Sequence, residues 1–186
     1  MHFQKILSYD VYGTHKEGRF THVCALLNQT SDPDTLEPAM LATHSKDIFI
    51  SPRKRAIGCL NQTTAISVTV LPALNEIPFD LARVCTPTEF ETNGSVAVRS
   101  AFLTLFINNQ LSINHRNLQE ECEYLLTISK DNPDALAISH TFRLRLLETY
   151  LKTNRQLFSE PTLIQKYLNP NEHWADFGSF IPMPIY

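Results

Sequence analysis

The sequence is missing several things that would have made it easy to place. No apolar run approaches the roughly 20 residues needed to span a bilayer. The first ten residues, Met1 to Asp10, lack the long apolar stretch and small-residue cleavage site of a signal peptide. A soluble, cytoplasmic protein without membrane contact is therefore expected. The four cysteines, Cys24, Cys59, Cys85 and Cys122, stand far apart with no CxxC pair, which speaks against a zinc ribbon or a thioredoxin-like site. Reduced thiols are expected rather than disulfides, and the three N-x-[ST] strings at Asn28, Asn61 and Asn93 then carry no meaning. There is no basic excess either: 16 Lys and Arg against 19 Asp and Glu leave a net charge of −3, so composition does not advertise nucleic acid. Internal repeats and low-complexity segments are absent as well.

What is present is ordinary globular material. Hydrophobic residues make up 43% of 186 positions and charged residues 19%, enough to bury roughly 70% of the unfolded chain's surface in one domain. Strand signals dominate the first third. Phe3 to Val11 reads as a strand ending at Gly13, and Arg19 to Leu27 as a second strand, forming an antiparallel hairpin. Pro38 to Thr43 and Ile48 to Ile50 read as further strands, whereas Ala65 to Leu71 suits either a strand or a buried helix. Beyond Asn93-Gly94 the pattern turns helical. Ser95 to Ile107 is apolar nearly all round and should form a central, buried helix. Arg116 to Ser129 places Leu118, Cys122, Leu125 and Leu126 on one face. Leu136, His140, Leu144, Leu147 and Leu151 recur at helical spacing from Pro133 to about Thr153, and a short helix is expected near Pro161 to Leu168. Strands first and helices later imply a mixed α/β or α+β fold, with a domain over residues 1–168 and an apolar tail over 169–186.

The most specific local string is Tyr9-Asp10-Val11-Tyr12-Gly13-Thr14-His15. An acid near the end of an apolar first strand, followed by a glycine turn, is a usual place for a catalytic or metal-binding carboxylate; a turn-capping Asp is the plain alternative. Asp10, Gly13 and Thr14 resemble the nucleophile motif of haloacid dehalogenase-like hydrolases, with Thr92-Asn93-Gly94 resembling the second motif and Lys130 the lysine. Against that likeness, Thr86 to Glu91 is no buried strand, and no acidic pair at a strand end follows Lys130 to hold magnesium.

A longer, collinear likeness runs from about Lys5 to Leu151. The Tyr9 to His15 string, Arg19, Ala25-Leu26, Glu37-Pro38, Pro52, Ala56-Ile57, Asn75-Glu76, Phe79, Asn93 and Thr141 to Leu144 resemble the exonuclease domain of bacterial exonuclease I, a DEDDh 3′–5′ exonuclease. The resemblance implies a ribonuclease H-like α/β sheet with the N-terminal hairpin and flanking helices in the C-terminal half. It also implies a pair of metal ions held by acidic side chains. Residue by residue, Ser8 and Asp10 occupy the first acidic motif, and Ala97 falls at or beside the next Asp. Arg155 to Leu168, where the closing His and Asp belong, offers no His and only Glu160 as an acid. One carboxylate cannot hold two cations about 4 Å apart. The resemblance therefore implies a degenerate, non-catalytic relative without a cofactor. It would serve as a binding or accessory subunit, in a setting such as DNA processing, mobile elements or defence. A working nuclease would need Mg²⁺ and carboxylates from elsewhere, such as Glu17, Asp80, Glu89 or Asp176.

Other residues invite roles. Arg53-Lys54-Arg55, with Lys16 and Arg19, could touch a phosphate backbone, or be a solvated loop. His22 and Cys24, two apart on the expected second strand, would share a face as a Cys–His pair. His140, on the apolar stripe of its helix, reads as a buried histidine satisfied by a hydrogen bond. Trp174, Phe177, Phe180, Met183 and Tyr186 crowd the proline-broken tail, which either packs back on its own domain or docks on a protein partner.

Overall fold

The computed structural model of the chain describes residues 1–6, 19–28, 47–53, 56, 67–111, 116–160, 162–171 and 180–182. Five strands form one sheet: β1 (His2–Ile6), β2 (Asp47–Ile50), β3 (Ser67–Val70), β4 (Leu136–His140) and β5 (Phe180–Pro182). Their order across the sheet is β3-β2-β4-β1-β5. The first four run parallel, and β5 pairs antiparallel with β1 at the edge.

Strands buried on both faces should read as near-continuous apolar runs, and β2 (DIFI) and β4 (LAISH) do. Side chains alternate between faces. Phe3, Phe49 and Ala137, aligned by register, enter the main core, whereas Ile48, Ile50, Leu136 and Ile138 form a second cluster with Ala56. Six helices accompany the sheet among the described residues: α1 (Arg19–Leu27), α2 (Pro87–Asn93), α3 (Ser95–Ile107), α4 (Leu118–Asp131), α5 (Thr141–Lys152) and α6 (Thr162–Tyr167). As its all-round apolar sequence predicts, α3 is central. It buries Ala97, Val98, Ala101, Phe102, Leu103 and Leu105, and Phe102 meets Phe79 at 5.3 Å and Phe142 at 5.1 Å between ring centroids. On α4, Leu118, Cys122, Leu125, Leu126 and Ser129 form the buried stripe, and Asn117 caps the helix by accepting from Glu120 N at 3.0 Å.

The mixed α/β class holds, but two sequence expectations give way. Arg19–Leu27 is a helix, so the N-terminal hairpin does not exist and β1 instead lies between β4 and β5. Phe20, Val23 and Leu27 fall at helical spacing, and burial of Val23 and Leu27 on that face outweighs the local strand preference of Phe, Thr and Val. The single helix expected from Pro133 is split: Leu136–His140 is a central strand and α5 begins only at Thr141. A short apolar run fits either state, and here tertiary burial on both faces selects the strand. His140 accordingly ends β4 rather than riding a helix stripe, and its Nδ1 caps α5 by accepting from Phe142 N at 3.2 Å. Within the tail, which the sequence allows to pack back on its own domain, Phe180–Pro182 pairs with β1 at the edge of the sheet. Ala65 to Leu71 resolves as the strand Ser67–Val70, and the short late helix is α6. The expected strands over Leu7 to Val11 and Pro38 to Thr43 lie outside the described residues.

At the α2–α3 corner, Thr86 and Glu89 form a reciprocal capping box with Pro87 at the first helical position. Gly94 then ends α2 and starts α3 at φ +54°, ψ −125°, a conformation that side chains resist. Nothing lies within 4 Å of a Cβ placed there, so the penalty is purely backbone. Gly94→Ala is expected to lower stability by about 1–3 kcal/mol, read as a shift in the urea unfolding midpoint at constant slope.

Candidate functional site

Parallel strands deliver all their carboxyl ends to one edge of a sheet, where open α/β folds place their ligands. Here that edge receives Ser51 to Arg53 after β2, Leu71 to Glu76 after β3, and His140 at the end of β4. The peptide after β3 turns through a short 3-10 segment, Pro72–Leu74, and Leu71 N donates to Ile50 O at 2.9 Å. The four carbonyls from Ala73 to Glu76 are each met by a side chain. Arg143 Nε donates to Ala73 O at 3.0 Å, Ser139 Oγ donates to Leu74 O, and Arg116 donates to Asn75 O at 3.0 Å and to Glu76 O. Arg116 is itself fixed by a two-pronged pair with Glu121 at 2.9 Å for each bond. Arg143 is fully buried, and its other contact is with Cys122 Sγ at 3.5 Å.

The clamp fixes Glu76, whose carboxylate pairs with Arg53 Nε at 2.7 Å; the two side chains are only 4% and 7% exposed. Burying such charges is expensive unless they are paired, so the loops after β2 and β3 are bound to each other by this ion pair. Asn75 Oδ1 accepts from Glu76 N at 2.9 Å and Ser51 Oγ from Arg53 N at 3.3 Å, which tightens both ends.

Several sequence candidates change character here. Arg53 does not face solvent as a phosphate contact, because its guanidinium is turned inward to Glu76. Asp10, Lys16, Lys54, Arg55, Trp174, Phe177, Met183 and Tyr186 lie outside the described residues, as do Ser8, Glu17 and Asp176. Asp10 follows the carboxyl end of β1 by four residues in sequence, and Ile6 at that end is register partner to His140. Arg19 opens α1, and Phe180 pairs with Gln4 through the sheet. Ala97 belongs to the main core. Thr92 is exposed on α2, where its Oγ1 donates to Thr88 O at 2.8 Å, and Lys130 is exposed near the end of α4; neither stands at a strand end. Glu89 serves the capping box and Asp80 is exposed.

The Cys–His pair also fails. Two residues apart on a helix, His22 and Cys24 point to different sides. Burial pushes the Cys24 thiol up to about 11, helped by the charge of Asp80 and by Cys85, and opposed by a hydrogen bond involving Ala82. Such a thiol is protonated at neutral pH and is no activated nucleophile. As for magnesium, no group of three or more His, Cys, Asp or Glu converges among the described residues. Glu76 is committed to Arg53 and does not fit a metal-ligand role.

Sequence reasoning did not single out Glu76, Arg116, Ser139 or Arg143 as parts of this edge. A signal existed in the lone acid of Leu71 to Phe79 (LPALNEIPF), and in Arg143 amid the apolar residues of α5. Compared with family models, with curated proteins and with solved structures, the chain shows no match.

Glu76→Gln removes the negative charge that faces the buried Arg53 guanidinium and is expected to cost about 3–5 kcal/mol. Joint Arg53→Met and Glu76→Leu replacement should recover most of that loss in urea unfolding. Alkylation of Cys24 at pH 8, followed by peptide mapping, is expected to run about tenfold slower than for an exposed thiol. About 100-fold less thiolate is present, offset by the greater nucleophilicity of a more basic sulfur.

Proposed function

We propose that the chain is a non-catalytic binding subunit: a degenerate exonuclease I-like, ribonuclease H-like domain that holds single-stranded nucleic acid without hydrolysing it. The observation that carries this reading is the environment of Ala97. Ala97, at or beside the position of the acid that follows the family's first acidic motif, sits in the hydrophobic core on α3, where a carboxylate would be stripped of water and driven toward its neutral form. Ser8 likewise cannot supply the charge of the acid it replaces. The retained acid, Asp10, follows the end of β1, the strand lying next to β4 in the sheet. Arg53 contributes as an anchor: its ion pair with Glu76 fixes the start of the basic string at the carboxyl edge, and Lys54 and Arg55 follow directly in sequence as backbone-charge contacts. Retention of a fold after loss of its catalytic groups is compatible with a binding role, because function resides in the site and not in the scaffold.

The test is a pair of measurements on single-stranded DNA and RNA oligonucleotides, with Mg²⁺ and then Mn²⁺ present. Fluorescence anisotropy is expected to show binding that weakens steeply with salt, weakens further in the Lys54→Ala/Arg55→Ala variant, and is accompanied by no cleavage. Cleavage abolished by Asp10→Ala would overturn the proposal, as would the absence of binding.

A further inference from the structure

A concavity lies between the end of α3, the start of α4 and residues Leu157, Phe158 and Ile164. It encloses about 450 Å³, within the usual range for a small-molecule site. Two half-buried rings, Phe106 and Phe158, stand edge to face in its wall with centroids 5.9 Å apart. Each is supported from behind: Phe102 stacks on Phe106 at 6.1 Å, and Tyr150 packs on Phe158 at 5.5 Å. Leu118, Leu157 and Ile164 are buried beneath them. The rings are thus fixed before any ligand arrives, which lowers the ordering cost of stacking on them.

The polar part of the lining consists of amides. Asn109, Asn117 and Gln119 are exposed at the rim. Asn109 is held in a left-handed turn at φ 53°. The Oδ1 of Asn117 is used to cap α4, so that its NH₂ group is the part directed to other partners. Arg116 also lines the cleft, but its guanidinium is consumed by Glu121 and by the carbonyls of Asn75 and Glu76. With Glu120 and Glu121 in the first turn of α4, the cleft favours a neutral ligand over an anion. A purely apolar ligand would desolvate the amides without return.

From this lining we infer that the cleft binds a single unpaired nucleobase, stacked on Phe106 or Phe158 and read at its edge by the carboxamides of Asn109 and Asn117. A base is flat, neutral and edged with both donors and acceptors, and aromatic stacking with edge hydrogen bonds is how unpaired bases are held. The same chemistry is offered by a free nucleoside and by one base of a single strand. The inference does not require Asp10 or the carboxyl edge.

Calorimetric titration of the full chain with adenosine and with uridine, each repeated in the presence of a single-stranded oligonucleotide, tests it. Saturable nucleoside binding is expected, weakened at least fivefold by Asn109→Asp, which tolerates the same backbone conformation. Asn117→Asp keeps the helix cap while removing the amide donor, and should act similarly. Neither variant should move the unfolding midpoint, which separates a lost contact from a lost fold, and Phe106→Ala is informative only if it folds. Competition by the oligonucleotide would assign the pocket to a base within a strand, and its absence to a free nucleoside; both support the inference. It would be overturned by failure of both nucleosides to bind, or by Asn variants that bind as wild type. An oligonucleotide that binds while nucleosides do not would reject the pocket and leave the proposed function standing.

Discussion

Four consecutive carbonyls, from Ala73 to Glu76, accept hydrogen bonds from side chains supplied by α5, by β4 and by Arg116, which precedes the cap of α4. A crossover leaving an edge strand would ordinarily satisfy such groups with water. Here the peptide is drawn under neighbouring elements, and guanidinium groups take over the solvent's role. The arrangement explains why a chain of unremarkable composition sinks Arg143 entirely and Arg116 largely: each is the donor a buried turn requires. It also explains the placement of Glu76, since a fixed backbone presents its carboxylate to Arg53 at little additional entropic cost.

The legibility of the sequence varied with the length and evenness of each pattern. α3 was readable because thirteen residues are apolar nearly all round, and α4 because fourteen residues keep their apolar side chains on one face. β2 was readable from three apolar residues closed by Pro52. α1 was misread because nine residues rich in Phe, Thr and Val carry strand preference and helix spacing together, and only burial against the rest of the molecule decides between them. The split of residues 133–153 failed for the opposite reason. Leu136, His140, Leu144 and Leu147 keep a helical beat across a boundary that is invisible until His140 is seen capping α5.

The candidate site divides in a similar way. Asp10 could be flagged from local chemistry, because an acid before a glycine turn is a recognisable string. Glu76 could not be given a role, since its significance depends on Arg53, Arg116 and Asn75 meeting it in space. Arg53 was noticed for its charge and assigned to the surface; its actual environment is set by a residue distant in the chain. Charged residues near functional edges are therefore the ones whose roles sequence spacing predicts least well.

The strand order has a consequence for biosynthesis. β1 is translated long before either of its neighbours in the sheet, β4 and β5. Until they emerge, β1 has two open edges while most of the described helices have already appeared. Completion of the sheet is consequently a late, long-range event, slow by topology and open to intermolecular pairing in the interval. Nascent-chain chaperones acting on β1 would bear directly on the yield of native protein.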